Sequence, residues 1–203
     1  MHIWMTLEKA ASLYPEKTAV MDGKKVLTYG QAYARVGALA RFFREKGVHV
    51  GDRIAICEVN SYAFFECYYA VAGLGAILCP LNYRLSAKEM AFILNDSGAR
   101  WIIAGSRFSS VIQKTLEETP NIEGIIWIGD PQDVQKRVES FGYETLVKIH
   151  ESPFIPADIG GDQIAHLYYT SGTTGRPKGV ILTHKNVCIH ALAAIAELQL
   201  TDT

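Results

Sequence analysis

The chain has 203 residues, of which 49% are apolar and 20% charged, a balance that suits a globular protein with a large core and argues against disordered or fibrous chains. A formal net charge of −1 argues against a nucleic-acid or anionic-membrane surface as the main business of the molecule. Cys57, Cys67, Cys79 and Cys188 are widely spaced with no Cys-x-x-Cys pair, so they read as buried apolar residues in a reducing, cytoplasmic compartment.

From the N-terminus, Met1 to Lys9 lacks a basic region followed by an apolar core, and no signal peptide is expected. Leu7, Ala10, Ala11 and Tyr14 share a helical face that Pro15 stops. Ala19 to Met21 and Val26-Leu27, flanking Asp22-Gly23, predict a hairpin with a two-residue turn. Thr28 and Gln31 form a capping box for a helix whose Val36, Leu39, Ala40 and Phe43 make an apolar stripe and whose end is marked by Gly47. Arg53 to Cys57 predicts a buried strand, Tyr62 to Leu74 a helix, and Ala76 to Cys79 a second strand. Ala63 to Leu81 is nearly long enough to span a bilayer, which needs about 20 apolar residues. Glu66, Gly73, Gly75 and Pro80 interrupt it, so no transmembrane segment is expected.

Ser86 and Glu89 form another capping box, with Met90, Ile93 and Leu94 facing inward and Gly98 closing the helix. Two continuous apolar runs, Trp101 to Ala104 and Ile125 to Ile128, predict strands on either side of a helix over residues 111–118. Strands without polar alternation, separated by amphipathic helices, predict an α/β fold with a mainly parallel sheet covered on both faces. Residues 129–162, with Pro131, Pro153, Pro156 and Gly160-Gly161, read as a loop-rich connection holding at most one helix. The pattern then restarts with a strand into Tyr169, a strand at Val180 to Leu182, and a helix capped by Thr183.

Between those last strands lies Thr170-Ser171-Gly172-Thr173-Thr174-Gly175-Arg176-Pro177-Lys178. Glycines permit turns that aim successive backbone N–H groups into one concavity, hydroxyls add donors, and a lysine supplies positive charge, so the composition suits a polyphosphate. The spacing is neither that of the Walker P-loop, because Lys178 is followed by Gly179, nor that of a dinucleotide fingerprint.

The run from Leu167 to Lys178, with Val180-Ile181-Leu182-Thr183-His184-Lys185-Asn186 after it, resembles the phosphate-binding signature of the adenylate-forming enzymes. Leu27-Thr28-Tyr29, Gly51-Asp52-Arg53, Gly73 to Ala76, Pro80-Leu81-Asn82 and Asp96 to Ala99 also fall where acyl-CoA synthetases carry similar segments, so the resemblance covers essentially the whole chain. Gln31 stands where that family more often has Glu. The form of the run looks more like fatty- or aryl-acid CoA ligases than peptide-synthetase domains.

The resemblance implies an AMP-forming ligase that uses ATP, Mg²⁺ and coenzyme A on a small carboxylic acid, a fatty acid by preference. It implies that Thr170, Ser171, Gly172, Thr173, Thr174 and Gly175 wrap the β- and γ-phosphates, that Lys178 is catalytic in neutralising pyrophosphate, and that the Thr170 hydroxyl is a metal ligand. It implies a first subdomain over residues 1–162 and the start of a second over 163–203, with an incomplete second sheet and no C-terminal domain. The missing part is expected as a partner chain, or else self-association through an unpaired edge. A non-catalytic module, or half of a split protein, is the alternative. His184 has two readings, structural or substrate-side. His190 and Arg176 read as surface residues, Tyr168 and Tyr169 as core, and Tyr62, Phe64, Phe65, Tyr68 and Tyr69 as helix packing.

Overall fold

The computed structural model describes residues 2–148, 153–170 and 176–200. Helix α1 (Ile3–Leu13) is capped by the His2 side chain, whose Nδ1 accepts from the Trp4 backbone N–H at 3.1 Å. Strands β1 (Thr18–Asp22) and β2 (Lys25–Thr28) form the expected hairpin, with Asp22 paired to Lys25 across the turn Gly23-Lys24. Helix α2 (Tyr29–Glu45) opens on the Thr28–Gln31 capping box and buries Val36, Leu39, Ala40 and Phe43. Its end is a Schellman motif: Gly47, at φ +73°, donates to the Arg44 carbonyl, and Val48 donates to Phe43.

The parallel core follows as β3 (Arg53–Cys57), α3 (Tyr62–Leu74), β4 (Ile77–Pro80), α4 (Ala87–Ser97), β5 (Trp101–Gly105), α5 (Ser109–Leu116) and β6 (Gly124–Ile128). Alternate strand residues point to opposite faces, and both faces are apolar. Ile54, Ile56, Leu78 and Ile103 meet α1, α2 and α3 on one side, while Ala55, Cys57, Ile102 and Trp127 meet α4 and α5 on the other. All four cysteines are buried free thiols. Fully burying one such Ile or Leu contributes about 1.5–3 kcal/mol, which explains why the strands need no polar face.

Two features depart from the sequence expectation. The loop-rich stretch contains, besides the one short helix it allowed for, α6 (Tyr143–Leu146), an unexpected strand, β7 (Glu139–Gly142), paired in parallel with β6. Glu-Ser-Phe-Gly has no apolar run, and β7 is recruited by the open edge of β6 rather than by its own propensity. The strands expected to open a second sheet, β8 (Ile164–Thr170) and β9 (Lys178–Thr183), run on from the β4 edge instead. The connection before them lies along α3, where the Ala157 N–H donates to the Gly73 carbonyl at 2.8 Å, and this delivers β8 beside β4. The large sheet has the order β7-β6-β5-β3-β4-β8-β9, parallel except for β9, and the β1–β2 hairpin is the second sheet. Helix α7 (His184–Glu197) completes the described elements, with a Thr183–Asn186 capping box. Among the described residues, no helix is long and apolar enough to cross a membrane.

Candidate phosphate-binding site

Strand β8 runs parallel to β4, so its last residue, Thr170, lies at the carboxyl edge of the sheet. Ligands of open parallel sheets bind along that edge. The antiparallel register pairs Tyr169 with Gly179 and Thr170 with Lys178, so the hydroxyl residue and the lysine that bracket the run are direct cross-strand neighbours. Both are exposed. Ser171, Gly172, Thr173, Thr174 and Gly175 lie outside the described residues.

A cavity of about 500 Å³ adjoins this neck, walled by Thr170, Tyr169, Arg176 and Pro177 on the hairpin side and by Asn82, Lys88 and Phe92 on the α4 side. Lys88 and Arg176 bring two cations to this cavity and Glu89 one carboxylate. Arg176 is exposed, as its place between Gly and Pro suggested, yet it faces a formed concavity. Sequence reasoning passed over Lys88, because a lone lysine in the first turn of a helix has no distinguishing signal.

The Tyr169 hydroxyl donates to Asp96 Oδ2 at 2.5 Å. Burial first, and then the Asp96 carboxylate, push that phenol well above its ordinary value, so it stays protonated. Tyr168 points to the opposite face, where its hydroxyl meets that of Tyr68 at 2.6 Å. Both tyrosines are half-buried.

On that opposite face a second cavity, about 880 Å³, lies between α3, β8, β9 and α7, lined by Phe65, Tyr68, His166, Leu182 and His190 among others. The aromatic set of α3 therefore packs on the core and also walls this space. Burial lowers His166 to about 4. His184 is buried, stacks on His2 with ring centroids 4.4 Å apart, and accepts from the Ile3 N–H at 3.4 Å. Burial first, and then the neighbouring histidines and the N-terminal charge, lower it to about 4. These contacts give His184 the structural role of its two readings: it fastens α7 to the start of α1. His190 is exposed.

Far from the run, Arg35 reaches Glu66 through Nε at 2.5 Å and Nη2 at 3.1 Å, and Glu144 through both terminal nitrogens. Tyr143 donates to Glu66 at 2.7 Å and Tyr62 to Glu144 at 2.8 Å. Burial pushes the Glu66 carboxyl up, whereas for Glu144 the Arg35 and Tyr62 bonds outweigh burial and hold it at about 2. This network ties α2, α3 and α6 together and was invisible in the sequence.

Among the described residues, no group of three or more His, Cys, Asp or Glu side chains is placed to hold a metal ion. A magnesium ion usually keeps several waters and is held by few protein oxygens plus substrate phosphates, so the single exposed hydroxyl of Thr170 would suit such an ion only if a bound phosphate ligand supplied the other oxygens.

A family model described as AMP-binding enzyme matches residues 7–202. The chain is 31% identical over 200 residues to a long-chain-fatty-acid–CoA ligase of Thermus thermophilus, covering 96% of this chain and 35% of that protein. It is 33% identical over 194 residues to a feruloyl-CoA synthase of an Amycolatopsis species, covering 96% of this chain and 36% of that one. Among solved structures, a long-chain-fatty-acid-CoA ligase from Archaeoglobus fulgidus superposes with a TM-score of 0.85 at 25% identity, over 99% of this chain and 40% of its own. The N-terminal domain of FACL13 from Mycobacterium tuberculosis superposes with a TM-score of 0.78 at 28% identity, over 100% of this chain and 48% of its own. The chain thus spans about a third of the length of the curated relatives it matches.

Proposed function

Because the chain belongs to the AMP-binding enzyme family, we propose that it carries the phosphate-binding part of an AMP-forming carboxylic acid–CoA ligase, with a fatty acid the favoured substrate. The observation that carries this reading is the pairing of Thr170 with Lys178 at the carboxyl edge of the sheet, closing the Ser-Gly-Thr-Thr-Gly run between them. In the first half-reaction a substrate carboxylate oxygen attacks the α-phosphorus of ATP, the bond to the bridging oxygen breaks, and pyrophosphate leaves with its charge. In the second, the coenzyme A thiol attacks the acyl carbon and AMP departs.

The first step is an electrostatic task. Residues 171–175 supply hydroxyl and backbone N–H donors to the β- and γ-phosphates, and Lys178 neutralises the departing pyrophosphate. The Thr170 hydroxyl would help to hold a magnesium ion, which would neutralise further phosphate charge. Loss of one preorganised donor costs about 2.7–4 kcal/mol at the transition state in comparable sites. Four free thiols support a reducing, cytoplasmic setting for this chemistry.

Acyl-CoA formation also needs groups that hold adenine and ribose and that assist thioester formation. We assign those to polypeptide beyond these residues, in the same chain or a partner. The test is ATP–pyrophosphate exchange with a panel of carboxylic acids, run on this segment with the polypeptide that completes it. Exchange dependent on an acid supports the reading, and its absence with every acid overturns it. The 203 residues alone are expected to form no acyl-CoA. Steady product from them would show that the division of labour is misplaced.

A further inference from the structure

The neck of the phosphate run is held from outside the hairpin. Tyr169 immediately precedes Thr170, and its hydroxyl donates to Asp96 in the last turn of α4. A carboxylate there opposes the helix dipole, and the cation that offsets it comes from outside the helix, where Arg53 donates to the Ser97 and Gly98 carbonyls at 2.6 and 3.1 Å. Across the ladder from Tyr169 is Gly179. A Cβ at Gly179 would meet Leu167 Cδ1 at 2.9 Å, so the glycine leaves room for that leucine, and the Tyr169 ring lies over Gly179 at an ordinary contact distance of 3.6 Å from the same position, on the strand that carries Lys178.

We propose that Asp96 and Tyr169 are positioning residues for phosphate binding: the Asp96–Tyr169 hydrogen bond, with the ring over Gly179, fixes Thr170 and Lys178 relative to α4. This rests on the phosphate reading of the run. Both arms of the hairpin are engaged at one level, because Tyr169 is bonded to the helix on one side and covers the facing strand on the other. Lys88 and the wall of the 500 Å³ cavity belong to that same helix, so the bond also sets the width of the cavity mouth.

The experiment measures tripolyphosphate affinity by calorimetry and amide hydrogen exchange of strands β8 and β9, for the wild type, Asp96→Ala, Tyr169→Phe and the double variant, with Lys178→Ala as control. Each single variant is expected to bind about tenfold more weakly, in line with loss of a hydrogen bond to a charged group. The double variant should be no weaker than Tyr169→Phe, because one bond is being removed twice. Exchange in β8 and β9 should accelerate in all three. Faster exchange with unchanged affinity would make the bond merely structural and overturn the proposal, as would additive losses or unchanged exchange. If wild type and Lys178→Ala bind tripolyphosphate equally, the phosphate reading fails. That outcome overturns the positioning proposal as well, and it differs from failure of the proposal alone, in which Lys178→Ala weakens binding while the Asp96 and Tyr169 variants bind like the wild type.

Discussion

Helices α3 and α7 are nearly the same length and both rich in apolar residues, yet they end in opposite situations. Helix α3 lies between the sheet, α1 and α2 and buries Ala63, Cys67, Ala70, Val71 and Leu74. Helix α7 buries only His184 and Cys188 and leaves Ile189, Leu192 and Ile195 about half exposed. Beside it, Val180 and Ile181 on the edge strand β9 are also exposed. Composition therefore sets how much apolar surface a helix carries, and the neighbours present decide whether water sees it. Exposed apolar side chains spaced along one helix, as Ile189, Leu192 and Ile195 are, suit an interaction surface rather than a finished exterior. The packed half and the open half should answer mutation differently.

The largest expected effect is in the packed half. Trp101 is buried, with Phe42 and Phe43 edge-on at 5.7 Å, and Trp101→Ala should destabilise by about 3–5 kcal/mol, read from the denaturation midpoint. A loss below 1 kcal/mol would mean that this core is far looser than its contacts indicate. Arg35→Ala comes next, since it strands the fully buried Glu66 carboxylate. Removing one partner of a buried pair costs about 3–5 kcal/mol. Glu66→Gln in the same background should recover part of the loss, and no recovery would argue against an uncompensated charge as the cause.

Acid probes the seam between the two halves, where His166 and His184 sit. Their pKa values are lowered from 6.5 to about 4, so above pH 6.5 both folded and unfolded chains keep them neutral. Between 6.5 and 4 only the unfolded chain takes up protons, and stability falls as pH falls. The slope from His166 should approach about 1.4 kcal/mol per pH unit, with His184 adding in the same direction. His166→Phe should flatten the profile in that window, and an unchanged profile would exclude the residue. The smallest effect belongs to the open half. Leu192→Ala should stay within about 0.5 kcal/mol in this chain, while Leu192→Glu should reduce any self-association seen by sedimentation.

Much of the packed half was legible because its signals are local. The Thr28–Gln31 and Ser86–Glu89 boxes start their helices where Ser/Thr-x-x-Gln/Glu patterns say they should, and the bounds of α3 and β3 coincide with their apolar runs. The run stood out by its composition, and its central residues lie outside the described part of the structure. Long-range polar pairs were not legible. Tyr169 and Asp96 are 73 positions apart, Arg35 and Glu66 are 31 apart, and no periodicity connects them. Strand β7 was equally opaque, since its pairing comes from the exposed edge of β6 and not from Glu-Ser-Phe-Gly.

The position of β8 beside β4 also has a consequence in time. Strand β4 ends at Pro80, whereas its outer neighbour begins at Ile164. At ribosomal rates of about 5–20 residues per second, that edge waits roughly 4–17 s for its partner to be synthesised. Helices α3 and α4, made early, can cover the faces of β4 in that interval but not its open edge. Pro80 has no N–H to offer a foreign strand, so one donor of the waiting edge is already removed.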